Sequence, residues 1–430
     1  MRTRTLDRGD IISTPSPALD AVLGSVTRYR DGAWADEERR RTVLCLLDSL
    51  ACFSVGQQLR HFQPHAAVAR AVFGSTDAGP SALRTAYLYG QAANALDFDD
   101  TLIGHPGAPI VGAVLAVAAR DRLTTDDILR GIAAGYQAHW LLAAAGRPTP
   151  ERAAQVRSVG VWDTVAASLA IGVALGMDDR ELTRVVGVAG AHSLLPYTGK
   201  WYERPVPGVK NNLGWAAAGA VLATELAVAG QTGITRPLEG DTGMWGMAGS
   251  DRWRLDPAFF ATPAVMRVGF KRYPACWHLQ QFLTTMSRVL RALPHDATIE
   301  SVVVRGPREV EKFCDAGVAI SADVAFSLPA CLSLLISGVE PGPAWDAFDE
   351  RSPELVHRGK VRYERSAVAG LEVRAGGRTL DAPVETSDPL NPAKWGLSES
   401  EVVGKHHRFA QPYLPAEALL AGDAAAPSFS

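Results

Sequence analysis

Cysteine is scarce and poorly placed for pairing. Only five occur in 430 residues (Cys45, Cys52, Cys276, Cys314 and Cys331), an odd number scattered along the chain. No Cys-x-x-Cys and no Cys/His pair at zinc spacing is present, and an iron–sulfur cluster would want clustered thiolates, so none of these frameworks is expected. A reduced, cytoplasmic setting fits best. Net charge is also small, −3 from 43 basic and 46 acidic residues, which gives no electrostatic footprint for nucleic acid. Apolar residues make up 47 %, too many for a disordered chain. No apolar run is long enough to span a bilayer, and the N-terminal Met-Arg-Thr-Arg-Thr-Leu-Asp-Arg-Gly-Asp is charged with no apolar core behind it, so no secretory signal is expected.

What is present is a long chain of two textures, and the length itself favours two cores over one. Residues 36–57 predict a helix with acids at its start and glycine at its end. Ala/Leu-rich helical spacing recurs over residues 81–97, 109–121, 125–146, 163–176, 180–195 and 213–230. Small residues dominate these stretches, so the helices can approach closely. From about residue 263 the pattern changes. Residues 298–305 alternate like a half-buried strand, and residues 371–374 and 378–381 flank Ala375-Gly376-Gly377 as a hairpin. Helical runs at 275–292 and 322–337 complete an α+β unit, and residues 399–409 turn helical again. The expected fold is mainly α: a large helical domain over 1–262, a smaller α+β lid over 263–390, and a segment 391–430 packing back on the first.

The most informative segment is Asn94 to Ala113. Asp97, Asp99, Asp100, Thr101 and His105 crowd into nine positions between apolar helical stretches. Charged groups beside so much buried surface are costly unless paired or used, and Gly104-His105-Pro106-Gly107 turns the backbone at the imidazole.

Four motifs, in this order, resemble the MmgE/PrpD family. They are Leu-Asp-Phe-Asp-Asp-Thr followed by His-Pro within 96–106, Val-Lys-Asn-Asn-Leu-Gly-Trp-Ala-Ala at 209–217 with Gly-Gln-Thr-Gly at 230–233, Phe-Lys-Arg-Tyr-Pro-Ala-Cys at 270–276, and Ala-Phe-Ser-Leu-Pro at 325–329. The resemblance covers nearly the whole chain. It implies a helical domain with an α+β lid, a homodimer, a site between the two domains, and neither metal nor cofactor.

Each site residue carries two readings. His105 is suited to acid/base work because imidazole titrates near neutral pH; otherwise it steadies the Gly-His-Pro turn. Asp97 and Thr101 match the family's site positions and share a face if their stretch is helical, as orienter and hydrogen-bond donor. Asp99 and Asp100 read as capping or ion-pairing groups. The resemblance makes Lys210 and Lys271 carboxylate-holding lysines, Lys210 having a solvated surface lysine as its equal alternative. Arg272 can bind a carboxylate bidentately or lie exposed. His278 either packs on the 275–292 helix or lines the cleft, and Cys276 reads as buried and inert. The aromatic and charged Lys200–Pro205 loop contacts substrate, faces a dimer partner, or is plain surface. His139, His192, His406 and His407 read as structural or exposed.

Two departures stand out. Arg157 takes the place where many relatives carry a histidine, and a guanidinium binds anions but does not act as a base at neutral pH. Leu328 lies near the position of a tyrosine found in the decarboxylase branch. The resulting expectation is a cofactor-independent hydro-lyase acting on a small di- or tricarboxylate of the 2-methylcitrate kind or on a specialised biosynthetic relative. The alternatives are a cis-aconitate-type decarboxylase, an epimerase or isomerase of a polycarboxylate, and a catalytically silent paralogue.

Overall fold

The computed structural model describes residues 16–421 except 33, 77–78, 158, 208–210, 295 and 411–415. The first part is built from helices α1 (Pro17–Asp31), α2 (Asp36–Gly56), α3 (Gln63–Val72), α4 (Ala82–Asn94), α5 (Gly107–Asp121), α6 (Thr125–Ala145), α7 (Asp163–Ala174), α8 (Asp179–Ala189) and α9 (Leu213–Val228). Capping boxes start two of them, Thr124 with Asp127 at α6 and Asp178 with Glu181 at α8. Every residue of α7 is buried. Its apolar and small side chains run all round the helix, the pattern of an element enclosed on every side. The small residues act as expected. A Cβ on Gly56 would lie 1.8 Å from the Ala92 carbonyl oxygen, and one on Gly214 would lie 2.3 Å from that of Tyr87. α2 and α9 therefore approach α4 at distances only glycine permits.

The second part centres on a mixed sheet of β1 (Ile299–Gly306), β2 (Val361–Arg365), β3 (Gly370–Ala375) and β4 (Arg378–Pro383), in the spatial order β2-β1-β3-β4. β2 runs parallel to β1, while β3 and β4 form the expected hairpin. α10 (Gln280–Ala292) packs beside it, and α11 (Leu328–Ile336) packs against α10. β1 departs from simple alternation, because Val302, Val303 and Val304 are all buried. As an interior strand, it is covered on both faces. The fold is thus mainly α with a small four-stranded mixed sheet.

Two main hydrophobic cores result. One draws on Leu19 through Phe270 and again on Leu397, Val402, Ala410, Ala416 and Leu419; the other joins Val206 to residues between Tyr273 and Val384. The change of core falls between Phe270 and Tyr273, some way past residue 262, because Ala264, Val265 and Val268 pack on the helical side. α12 (Glu399–Phe409) is tied down by a buried charge: Lys405 donates to Asp48 of α2 at 2.8 Å and to the Phe98 carbonyl at 2.7 Å. Among the described residues no single helix is long and apolar enough to cross a membrane.

Several local expectations change. The helix expected to 97 stops at Asn94, and the run at 322–337 divides into a 3-10 turn, Ser321–Phe326, and α11. Ser327 makes that division, its hydroxyl accepting the Ala330 N–H at 3.3 Å.

Candidate active site

The stretch from Asp97 to Gly107 leaves α4 as an irregular loop. Asp97 and Ile103 both take left-handed backbone conformations, with φ of 51° and 53°. For an isoleucine this costs on the order of 1–3 kcal/mol and persists only where the surroundings enforce it. Three clamps do so here. The Thr101 and Gly269 backbones exchange hydrogen bonds of 2.8 and 3.0 Å. The Gly107 N–H donates to Asp100 at 3.0 Å, and the Tyr136 hydroxyl donates to its other oxygen. His139, buried on α6, places one ring nitrogen 2.7 Å from the Leu102 carbonyl and the other 2.6 Å from Asp163. Burial lowers the His139 pKa, but Asp163 and the Leu102 carbonyl outweigh it and leave the ring above its ordinary value. The condition under which Asp97 and Thr101 would share a helical face is therefore not met. The loop instead turns both inward, each at most 8 % exposed.

His105 lies at the end of this loop, with Nδ1 3.3 Å from Asp99 and Nε2 3.7 Å from Asp97. Asp99 is held in turn by Asn94, whose amide donates to both carboxylate oxygens at 3.0 and 3.1 Å, and Asn211 donates to Asn94 at 2.9 Å. Lys271, which enters from the loop before α10, is wholly buried. Its ammonium donates to the Asp97 carboxylate, and to the Asp97 carbonyl at 2.9 Å. Burial pulls the lysine pKa down, yet Asp97 and Asp99 outweigh it and the group ends above its ordinary value. Lys271 is thus turned to Asp97 and away from solvent. Asp97, Asp99 and His105 offer ligand atoms within 4.8 Å of one another, close enough for a cation. The Lys271 ammonium already supplies positive charge at that point.

His278 stacks on Phe313, with ring centroids 5.6 Å apart, and is open to solvent in a deep position surrounded by protein. Loss of hydration, then the positive charges of Arg157 and Lys312, pull its pKa down to about 3; Asp97 and Lys271 are also near enough to act on it. The ring is neutral at ordinary pH. Arg157, in a short two-residue strand paired with Tyr197–Thr198, therefore faces the same region as His278. Arg272 does not join them. Its guanidinium is ion-paired through one nitrogen with Glu401 of α12 at 2.5 Å. Lys210 lies outside the described residues. In the Lys200–Pro205 loop, Arg204 reaches the Phe326 carbonyl at 2.7 Å, tying the loop to the second core.

A cleft opens beside Asp97 between the two cores. Phe62 and Leu96 line one side, Val206, Phe326 and Trp345 the other, and Asn94 and Asn211 lie along it. His61 crosses between the units, 3.1 Å from Asp346. Sequence reasoning missed Asn94, Asn211 and the His139–Asp163 pair. Asn211 stands inside a quoted motif and Asn94 opens the acid-rich segment before another, so the signal was there. Nothing in the sequence joins His139 to Asp163.

Asp100 gives the clearest pH signature. Burial, with Asp48 next, pushes its pKa up to about 7. Between about pH 4 and 7 the folded chain keeps a proton that the unfolded chain has released, so stability falls as pH rises through that window. Asp100→Asn retains both hydrogen-bonding positions and removes the titration. The expected result is a higher urea midpoint above pH 7 and a flatter dependence between pH 4 and 7. An unchanged profile would show that Asp100 ionises equally in both states.

Residues 25–255 match the MmgE/PrpD N-terminal domain. That is more than half of the chain, so it belongs to the MmgE/PrpD family, whose functions are generally of the dehydratase or related lyase kind. No curated protein matches this chain.

Proposed function

We propose that the protein is a hydro-lyase that removes water from a small hydroxy di- or tricarboxylic acid, working as a homodimer without a cofactor. The supporting observation is a pair of imidazoles in different settings around the Asp97–Lys271 pair. His278 is neutral and open to solvent, while His105 is oriented between Asp97 and Asp99. In this reading His105 takes the proton from the carbon next to a carboxylate, and the neutral His278 lines the site as a hydrogen-bonding group. The electron pair of that C–H bond forms the new C=C bond. The neighbouring C–OH bond breaks, and the hydroxyl leaves as water with a proton from His105. Arg157 and Lys210 hold carboxylates, with Thr101 as a hydrogen-bond donor and Lys271 fixing Asp97. Arg157 serves as a permanent cation where a histidine would titrate. The decarboxylase reading is less favoured, because Leu328 is fully buried at the start of α11 and brings no hydroxyl.

The test is incubation with racemic 2-methylcitrate, citrate and cis-aconitate, following alkene absorbance and carbon dioxide together. Absorbance rising without gas on a hydroxy acid is expected. Gas release from cis-aconitate would replace the proposal with decarboxylation, and deuterium uptake without loss of water would replace it with epimerisation.

A further inference from the structure

The loop that carries the acids and the loop that carries Lys271 are joined by a third segment of the chain. Phe98, which stands between Asp97 and Asp99, is held by two side chains of α12. The Lys405 ammonium donates to the Phe98 carbonyl at 2.7 Å and lies 3.7 Å from the centre of its ring, and Phe409 meets that ring edge-on at 6.0 Å. The same ammonium lies 3.4 Å from the Lys271 carbonyl. Just before α12 the returning chain touches the lysine loop again. The Leu397 N–H donates to the Phe270 carbonyl at 2.9 Å, and a Cβ on Gly396 would lie 2.7 Å from the Phe270 nitrogen. Asp97 takes a left-handed backbone, which persists only where its surroundings hold it. The clamps at Asp100, Thr101 and Leu102 act further along the loop, whereas Lys405 acts at the very next residue.

We propose that Lys405 is a positioning residue of the active site, a crosspiece that sets the spacing between the Asp97–Asp99 stretch and Lys271 and so orients His105 between its two carboxylates. At 6 % exposure Lys405 is closed off from solvent and acts through these groups. The competing role is plain stabilisation, because the ammonium is also paired with the wholly buried Asp48 at 2.8 Å. The two roles separate by which partner is removed. Asp48→Asn breaks the ion pair and leaves the crosspiece, whereas Lys405→Met breaks both.

The test compares Asp48→Asn, Lys405→Met and the double variant in the full chain. Each single variant strands a buried charge and is expected to lower the urea midpoint, while the double variant removes both charges and recovers much of it. The first reading is the ring signal of His105 in histidine-labelled protein by nuclear magnetic resonance, assigned by its loss in His105→Gln. It is expected to move in the folded double variant and to stay in place in Asp48→Asn. A signal that stays in the double variant, or moves as far in Asp48→Asn, overturns the proposal whatever the parent dehydrates. The second reading is turnover, and it alone rests on the hydro-lyase reading. Per folded molecule, Asp48→Asn is expected to keep the parent rate. The double variant is expected to lose about 10²-fold in kcat with KM little changed, the loss typical of misplacing reacting groups by about 1 Å. Parent-like turnover in the folded double variant also overturns the proposal. A signal that moves as expected in a protein that dehydrates nothing supports the crosspiece while removing the hydro-lyase reading.

Discussion

Replacing Lys271 by methionine is expected to destabilise the protein by about 3–5 kcal/mol, the usual cost of leaving one member of a buried ion pair without its partner. The ammonium is fully buried and satisfies both the carboxylate and the carbonyl of Asp97. Methionine fills a similar volume, so the loss is electrostatic and not a cavity effect. Asp97, at 5 % exposure, has little water to turn to. The control is the double variant Asp97→Asn/Lys271→Met. Asparagine tolerates the left-handed backbone at position 97 as aspartate does, and removing both charges is expected to restore much of the stability. Urea unfolding of the parent, the two single variants and the double variant gives the coupling directly. A Lys271→Met loss below about 1 kcal/mol would mean that the pair is solvated and that Lys271 is free to meet substrate.

His105→Gln is expected to lower turnover by about 10²–10⁴-fold, the range for losing a positioned acid or base. Glutamine can still donate a hydrogen bond towards Asp97 or Asp99, but it cannot carry a proton between them and a substrate. Because the Asp97–Lys271 pair remains, the urea midpoint and KM are expected to stay near the parent values. A structural histidine that merely steadied the Gly-His-Pro turn would give the opposite pattern, a lower midpoint with turnover per folded molecule preserved. Steady-state kinetics on the hydroxy acid that the parent dehydrates, together with urea unfolding, separates the two. Turnover within tenfold of the parent would sink the proton-transfer role.

Much of the fold is legible in local pattern. Residues 36–57, 125–146 and 213–230 carry helical periodicity and structural punctuation, and α2, α6 and α9 appear there with ends shifted by no more than two residues. The Ala-Gly-Gly turn marks the β3–β4 hairpin for the same reason: a turn is encoded by the residues that form it. β2 was invisible because its parallel pairing with β1 joins Val361 to Val302, far apart in sequence. α1 and α3 also escaped notice. α3 exposes most of its length, so only a narrow apolar stripe marks it.

The same division governs the site. Sequence determined the inventory, meaning the carboxylates of 97–100, His105 after its turn, a lysine before Tyr-Pro, and the family those motifs define. Tertiary structure decided what each charge does. Lys271 meets Asp97 across 174 positions and Lys405 meets Asp48 across 357, so neither pairing leaves a local trace. Arg272 was drawn to Glu401 by the return of α12. His278 is held neutral by loss of hydration in its deep position and by the positive charges of Arg157 and Lys312. Local periodicity is written along the chain, whereas the environment of a charge depends on which distant segments exclude water from it.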